Sequence, residues 1–124
     1  MYGVAYEIHA EDAETVRSHL DHREKGGYSH VTVKFHPCDP SEEPIVLGIY
    51  IGTRDNPNYL GPAPMEDIAN QIFRSVGPSG NNIDYLLNLA QALRLLLPDV
   101  NDPHISELEK LVNNLKNNSD NVNI

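Results

Sequence analysis

Tyr2, Val4, Tyr6 and Ile8 alternate with Gly3, Ala5 and Glu7, which is the period of a strand with one apolar face. The run "EDAETVRSHLDHREK" changes to helical spacing, with acids at its start and Ala13, Val16 and Leu20 on one modest apolar face. Gly26 and Gly27 then supply a left-handed stop. Alternation returns in "HVTVKFH" through Val31, Val33 and Phe35, and "IVLGIYIG" reads as a second, more buried strand after the turn-rich "PCDPSEEP". Three prolines stiffen "TRDNPNYLGPAP" and exclude it from helix or sheet interior. Helical spacing resumes at Ile68, Ile72, Phe73 and Val76, and "GPSGNN" breaks it, with Ser79 or Asn81 as candidate caps. The most apolar helix is expected in "IDYLLNLAQALRLLLP", buried on a broad face. Asp102-Pro103, a cap followed by proline, opens a last helix through "HISELEKLVNNLK".

This order predicts about three strands and four helices, strands first and helices later, which is an α+β domain. Three strands make a thin sheet with exposed edges, fewer than the usual ~4–6. A strand starting at the initiator implies that a pairing segment has been removed. The 124 residues suit one domain, expected over 1–116, with a disordered Asn-rich tail over 117–124.

Charge narrows the function classes. Nine basic against eighteen acidic residues give a net charge of −9, and there is no Lys/Arg stripe. Binding to nucleic acid or to an anionic membrane surface is therefore not expected. "IVLGIYI" is too short to cross a bilayer, and no charged-then-apolar leader precedes the fold, so the expected setting is the cytosol. A single cysteine, Cys38, forms no internal disulfide and fits a reducing compartment as a spectator thiol. His19 and His22 fall three apart on one helix but lack a third ligand at sensible spacing, so no metal is expected, and no other cofactor. "GPSG" lacks the spacing and lysine of a phosphate-binding loop.

Glu24 is the residue out of place. It falls where the first helix ends, at the negative end of the macrodipole, between Arg23 and Lys25. That end favours the protonated form of a carboxyl group, and two cations aimed at it would oppose the effect. Both are expected to point away.

Several segments together resemble one family: "GVAYEI", "LDHREKGGY", "VTVKFHP", "YIGTRDNPNYLGPAP", "IANQIF", "GPSGNNIDYLLNLA" and the "LE" of the last helix. This set is similar to the ChaC-type glutathione-specific γ-glutamylcyclotransferases over nearly the whole chain, Tyr2 to Leu115. The resemblance implies a small mixed β-barrel or sheet flanked by helices, here an incomplete barrel. It also implies cleavage of glutathione to 5-oxoproline and Cys-Gly, with Glu24 as the catalytic acid–base.

Tyr85 resembles a family tyrosine whose hydroxyl reaches toward the carboxylate, although a tyrosine on an apolar helix also serves as core with a wet tip. Tyr28 and the "NPNYLGPAP" loop resemble pocket walls, with plain packing as the alternative. Glu14 maps to an acidic stretch near the family's site, yet a favourable first-turn acid explains it better. The family's Tyr-Gly-Ser-Leu loop, which cradles the γ-glutamyl head, is absent from this sequence. That departure keeps a second reading open: a catalytically impaired, truncated member acting as a binding module. The chain is expected to be monomeric unless its open sheet edge pairs with another copy.

Overall fold

The computed structural model describes residues 1–122. Four helices are present among them, α1 (Ala13–Arg23), α2 (Met65–Arg74), α3 (Asn82–Leu96) and α4 (Pro103–Val122). Strands β1 (Tyr28–Phe35) and β2 (Ile45–Gly52) form an antiparallel ribbon, and the two-residue strands β3 (Val76–Gly77) and β4 (Gly80–Asn81) form a small hairpin. No barrel closes among the described residues. Two compact units divide the segment that the sequence assigns to one domain.

The first unit runs from Ala5 to Gly61 and contains α1 and the ribbon. Its register pairs Val31 with Ile49, Val33 with Leu47 and Phe35 with Ile45. Strict alternation therefore collects the apolar side chains on one face, where Val31, Val33, Phe35, Leu47 and Ile49 are half-buried. The opposite face carries Tyr28, His30, Thr32, Lys34, Val46, Gly48, Tyr50 and Gly52. No residue of α1 is buried, so little packing fixes that helix.

The second unit takes Met1–Val4 together with Pro62 onward, and it holds the core. Ala69 of α2, Leu86 of α3, and Leu108 and Val112 of α4 form one buried cluster, flanked by Met65, Ile68, Ile72, Ile83, Ile105, Leu111 and Leu115. The start of α4 follows the expected chemistry: Asp102 Oδ1 accepts from the Ile105 amide at 3.1 Å, and Pro103 occupies the first helical position. Arg94 of α3 clamps Glu109 of α4 with two hydrogen bonds of 2.7 and 3.0 Å.

Four expectations need correction. Residues 1–8 form no strand despite their alternation, because a strand needs a partner ladder and none lies beside them among the described residues. Val76 does not extend α2, which ends at Arg74 as the chain turns into the β3–β4 hairpin. The face of α3 is less covered than its apolarity implies, since Leu95 and Leu96 are exposed. The segment expected to be disordered from 117 continues α4 to Val122, with Ser119 Oγ donating back to the Leu115 carbonyl at 3.0 Å. Residues 123 and 124, the rest of that tail, lie outside the described residues.

Candidate active site

Glu24 is the residue that closes α1. Its φ of −95° and ψ of 12° leave helical geometry, while its amide still donates to the Leu20 carbonyl at 2.9 Å. The side chain is half-buried. Among the described residues, neither Arg23 nor Lys25 makes an ion pair with it.

Two hydrogen bonds tie the end of α1 to later parts of its own unit, one on each side of Glu24. On the N-terminal side, the Tyr50 hydroxyl of β2 donates a hydrogen bond to the Asp21 carboxylate. Asp21 and Glu24 are three apart, so both project from the same side of the last helical turn. On the C-terminal side, Asn58 Nδ2 donates to the Gly26 carbonyl at 3.2 Å. Asn56 packs on the next residue: Gly27 has φ of +96°, and a Cβ there would meet Asn56 Oδ1 at 2.5 Å. Asn56 Oδ1 is already committed, accepting from the Asn58 amide at 2.9 Å. The "NPN" of the Pro-rich loop therefore shapes the turn that follows Glu24.

Tyr50 is also gripped from its own face of the ribbon. The His30 ring meets it edge-on, with centroids 5.1 Å apart at 70°. A side chain at position 48 would collide with His30, so Gly48 leaves the space that this imidazole needs. The hydroxyl of Tyr50 is held above its ordinary pKa, first by the hydrogen bond to Asp21, then by burial and by the charges of Asp21 and Glu24, with Arg17 opposing. It remains a neutral donor at physiological pH.

The remaining sequence candidates are placed as follows. Tyr28 begins β1 opposite Gly52, in the same unit as Glu24, and is 52% exposed. Tyr85 lies in the first turn of α3 in the helical unit and is 73% exposed, so the core reading of it fails. Glu14 is an exposed first-turn acid of α1, which is the plainer of its two readings. Cys38 is free and exposed. No group of three or more metal-ligating side chains gathers among the described residues. A shallow cavity of about 150 Å³ in the helical unit, lined by Arg94, Asn101, Ser106 and Glu109 among others, contains none of the candidates.

Asp21 and Tyr50 escaped the sequence reading. Helical spacing does put Asp21 on the side of Glu24, but nothing local announces that a residue 29 positions away will reach it.

Comparison with known proteins decides the family. Residues 1–115 match the model described as "ChaC-like protein". The chain belongs to the ChaC-like protein family. A zebrafish (Danio rerio) relative, glutathione-specific gamma-glutamylcyclotransferase 1, is 44% identical over 110 residues, which are 87% of this chain and 56% of the relative. Gamma-glutamylcyclotransferase 2-3 of Arabidopsis thaliana is 41% identical over 128 residues, 98% of this chain and 63% of that protein. Among solved structures, a selenomethionine-labelled yeast gamma-glutamyl cyclotransferase specific to glutathione superposes with a TM-score of 0.77 at 31% identity. That match covers 86% of this ChaC-like chain and 56% of the yeast one. The fold is that of the gamma-glutamylcyclotransferases, and the chain spans 56–63% of the length of these relatives. No helix among the described residues is long and apolar enough to cross a membrane.

Proposed function

We propose that this ChaC-like chain takes part in cleaving glutathione to 5-oxoproline and Cys-Gly, with Glu24 as the general acid–base. One observation carries the residue assignment: a half-buried glutamate at a helix end, free of its flanking cations, in a chain whose relatives are named glutathione-specific gamma-glutamylcyclotransferases. In the reaction, the α-amine of the γ-glutamyl group attacks its own side-chain amide carbon. The C–N bond to cysteine breaks as the five-membered ring closes. The α-ammonium must first lose a proton, and the leaving Cys-Gly amine must gain one. A single carboxylate between the two nitrogens can perform both transfers, worth roughly 10²–10⁴ in rate. Because attack is intramolecular, the protein has only to hold the substrate curled, and that removes much of the entropic barrier.

Tyr28, an exposed ring in the same unit as Glu24, is proposed as a substrate contact. The reading places the protein in the cytosol, where glutathione is kept reduced and the free Cys38 is stable. The test is to incubate the purified chain with glutathione and measure 5-oxoproline and Cys-Gly. Equimolar release of both supports the proposal. The absence of both, in protein that melts cooperatively, would assign this chain to the impaired, binding-module reading.

A further inference from the structure

The Tyr50–Asp21 hydrogen bond takes no part in the proton transfers described above, yet it links the last turn of α1 to the ribbon just ahead of Glu24. Helix α1 buries none of its residues. On its apolar face only Val16 and Leu20 are half-buried, so apolar packing at the helix end is slight and polar fastenings add to it. One is Tyr50–Asp21, and the other is Asn58–Gly26. Glu24 sits between them in sequence, three residues after the first and two before the second. Tyr50 is itself braced by the His30 ring, for which Gly48 leaves room, so the fastening is anchored in the ribbon.

We propose that Tyr50 and Asp21 act as one positioning unit that holds the Glu24 carboxylate in its working place. This inference rests on the acid–base reading of Glu24. A carboxylate that must reach two nitrogens in succession tolerates little displacement, and a shift of about 1 Å in a reacting group can cost roughly 10²-fold. Asp21 and Tyr50 need not touch the substrate. Their action is to stop the helix end from fraying, which would let Glu24 swing away.

Two readouts test this, one of them independent of turnover. In Tyr50→Phe the ring still packs on His30 and only the hydroxyl is lost. The ¹⁵N order parameter of the Glu24 amide should fall from the rigid range near ~0.85 toward the flexible range below about 0.6, while amides in α2 to α4 keep their values. With glutathione as substrate, kcat should fall about 10–100-fold with KM within about twofold. Asp21→Ala should match it, and the double variant should be no worse than either single one, because the two residues form one unit. Asp21→Asn, which keeps an oxygen acceptor, should regain several-fold over Asp21→Ala.

An unchanged order parameter at Glu24 overturns the inference, as does an unchanged kcat, or losses that multiply in the double variant. If the unsubstituted protein releases no 5-oxoproline, or Glu24→Gln is as active as the parent, the acid–base reading fails instead. The order parameter then still decides whether Tyr50 fixes the helix end.

Discussion

From Pro62 onward, Ala69, Leu86, Ala90, Leu108 and Val112 are buried; from Ala5 to Gly61 no described residue is. The helical unit is thus held by an apolar cluster shared among α2, α3 and α4. The ribbon unit relies on a β-ladder, a half-covered apolar face and a few polar fastenings around Glu24. The residues proposed to act on glutathione are thus carried by the part of the chain with the least packing. Regions poor in buried apolar contacts open most easily, so the geometry at Glu24 depends on individual hydrogen bonds far more than the fold of the helices does.

The sharpest way to break this contrast is to cut into the helical core. Leu108 is 3% exposed, and Leu108→Ala should cost about 2–5 kcal/mol of stability, read as a large fall in Tm. A loss below about 1 kcal/mol would show that the cluster is not what holds the helices.

Next in size is the turn after Glu24. Gly27→Ala forces a side chain into a left-handed conformation, about 1–2 kcal/mol, and pushes Asn56 off its bond to the Asn58 amide. Denaturant melts should show that loss, and 5-oxoproline release should fall with it. Unchanged turnover would mean that the turn does not set Glu24.

On the ribbon, Val33 is only half-buried, so Val33→Ala should cost about 1 kcal/mol, clearly less than the core truncation. An equal cost would erase the difference between the two units.

The smallest effect is electrostatic. The Arg94 guanidinium, by hydrogen bonding, holds the Glu109 carboxyl below its ordinary pKa. The stability this adds is fully present above the ordinary carboxyl value of about 4.3 and is lost as pH falls through the lowered one. Arg94→Met should flatten that acid limb of the Tm–pH curve slightly, because the arginine side chain is 61% exposed. An unchanged limb would show that the pair contributes nothing.

Features set by neighbouring residues were the legible ones. The ribbon faces follow from the alternation of Val31, Val33 and Phe35, the start of α4 from Asp102-Pro103, and the end of α1 from Gly26-Gly27. Glu24 stood out because its position and neighbours conflict locally. Features set by distant partners were not legible. The alternation of residues 1–8 cannot reveal whether a ladder exists for it, and the Asn-rich run from 117 hid its continuity with α4. Tyr50 looked like any strand tyrosine because its partner Asp21 lies on a helix two elements earlier. Tyr85 read equally well as core or contact, and its exposure removes only the core reading.

One carboxylate carries the proposed chemistry, and a single comparison addresses it: 5-oxoproline formed from glutathione by the parent chain and by Glu24→Gln, after confirming that both melt at the same temperature. Loss of roughly 10²–10⁴ in kcat with an unaltered fold is the predicted result. Equal turnover by the two proteins would contradict it.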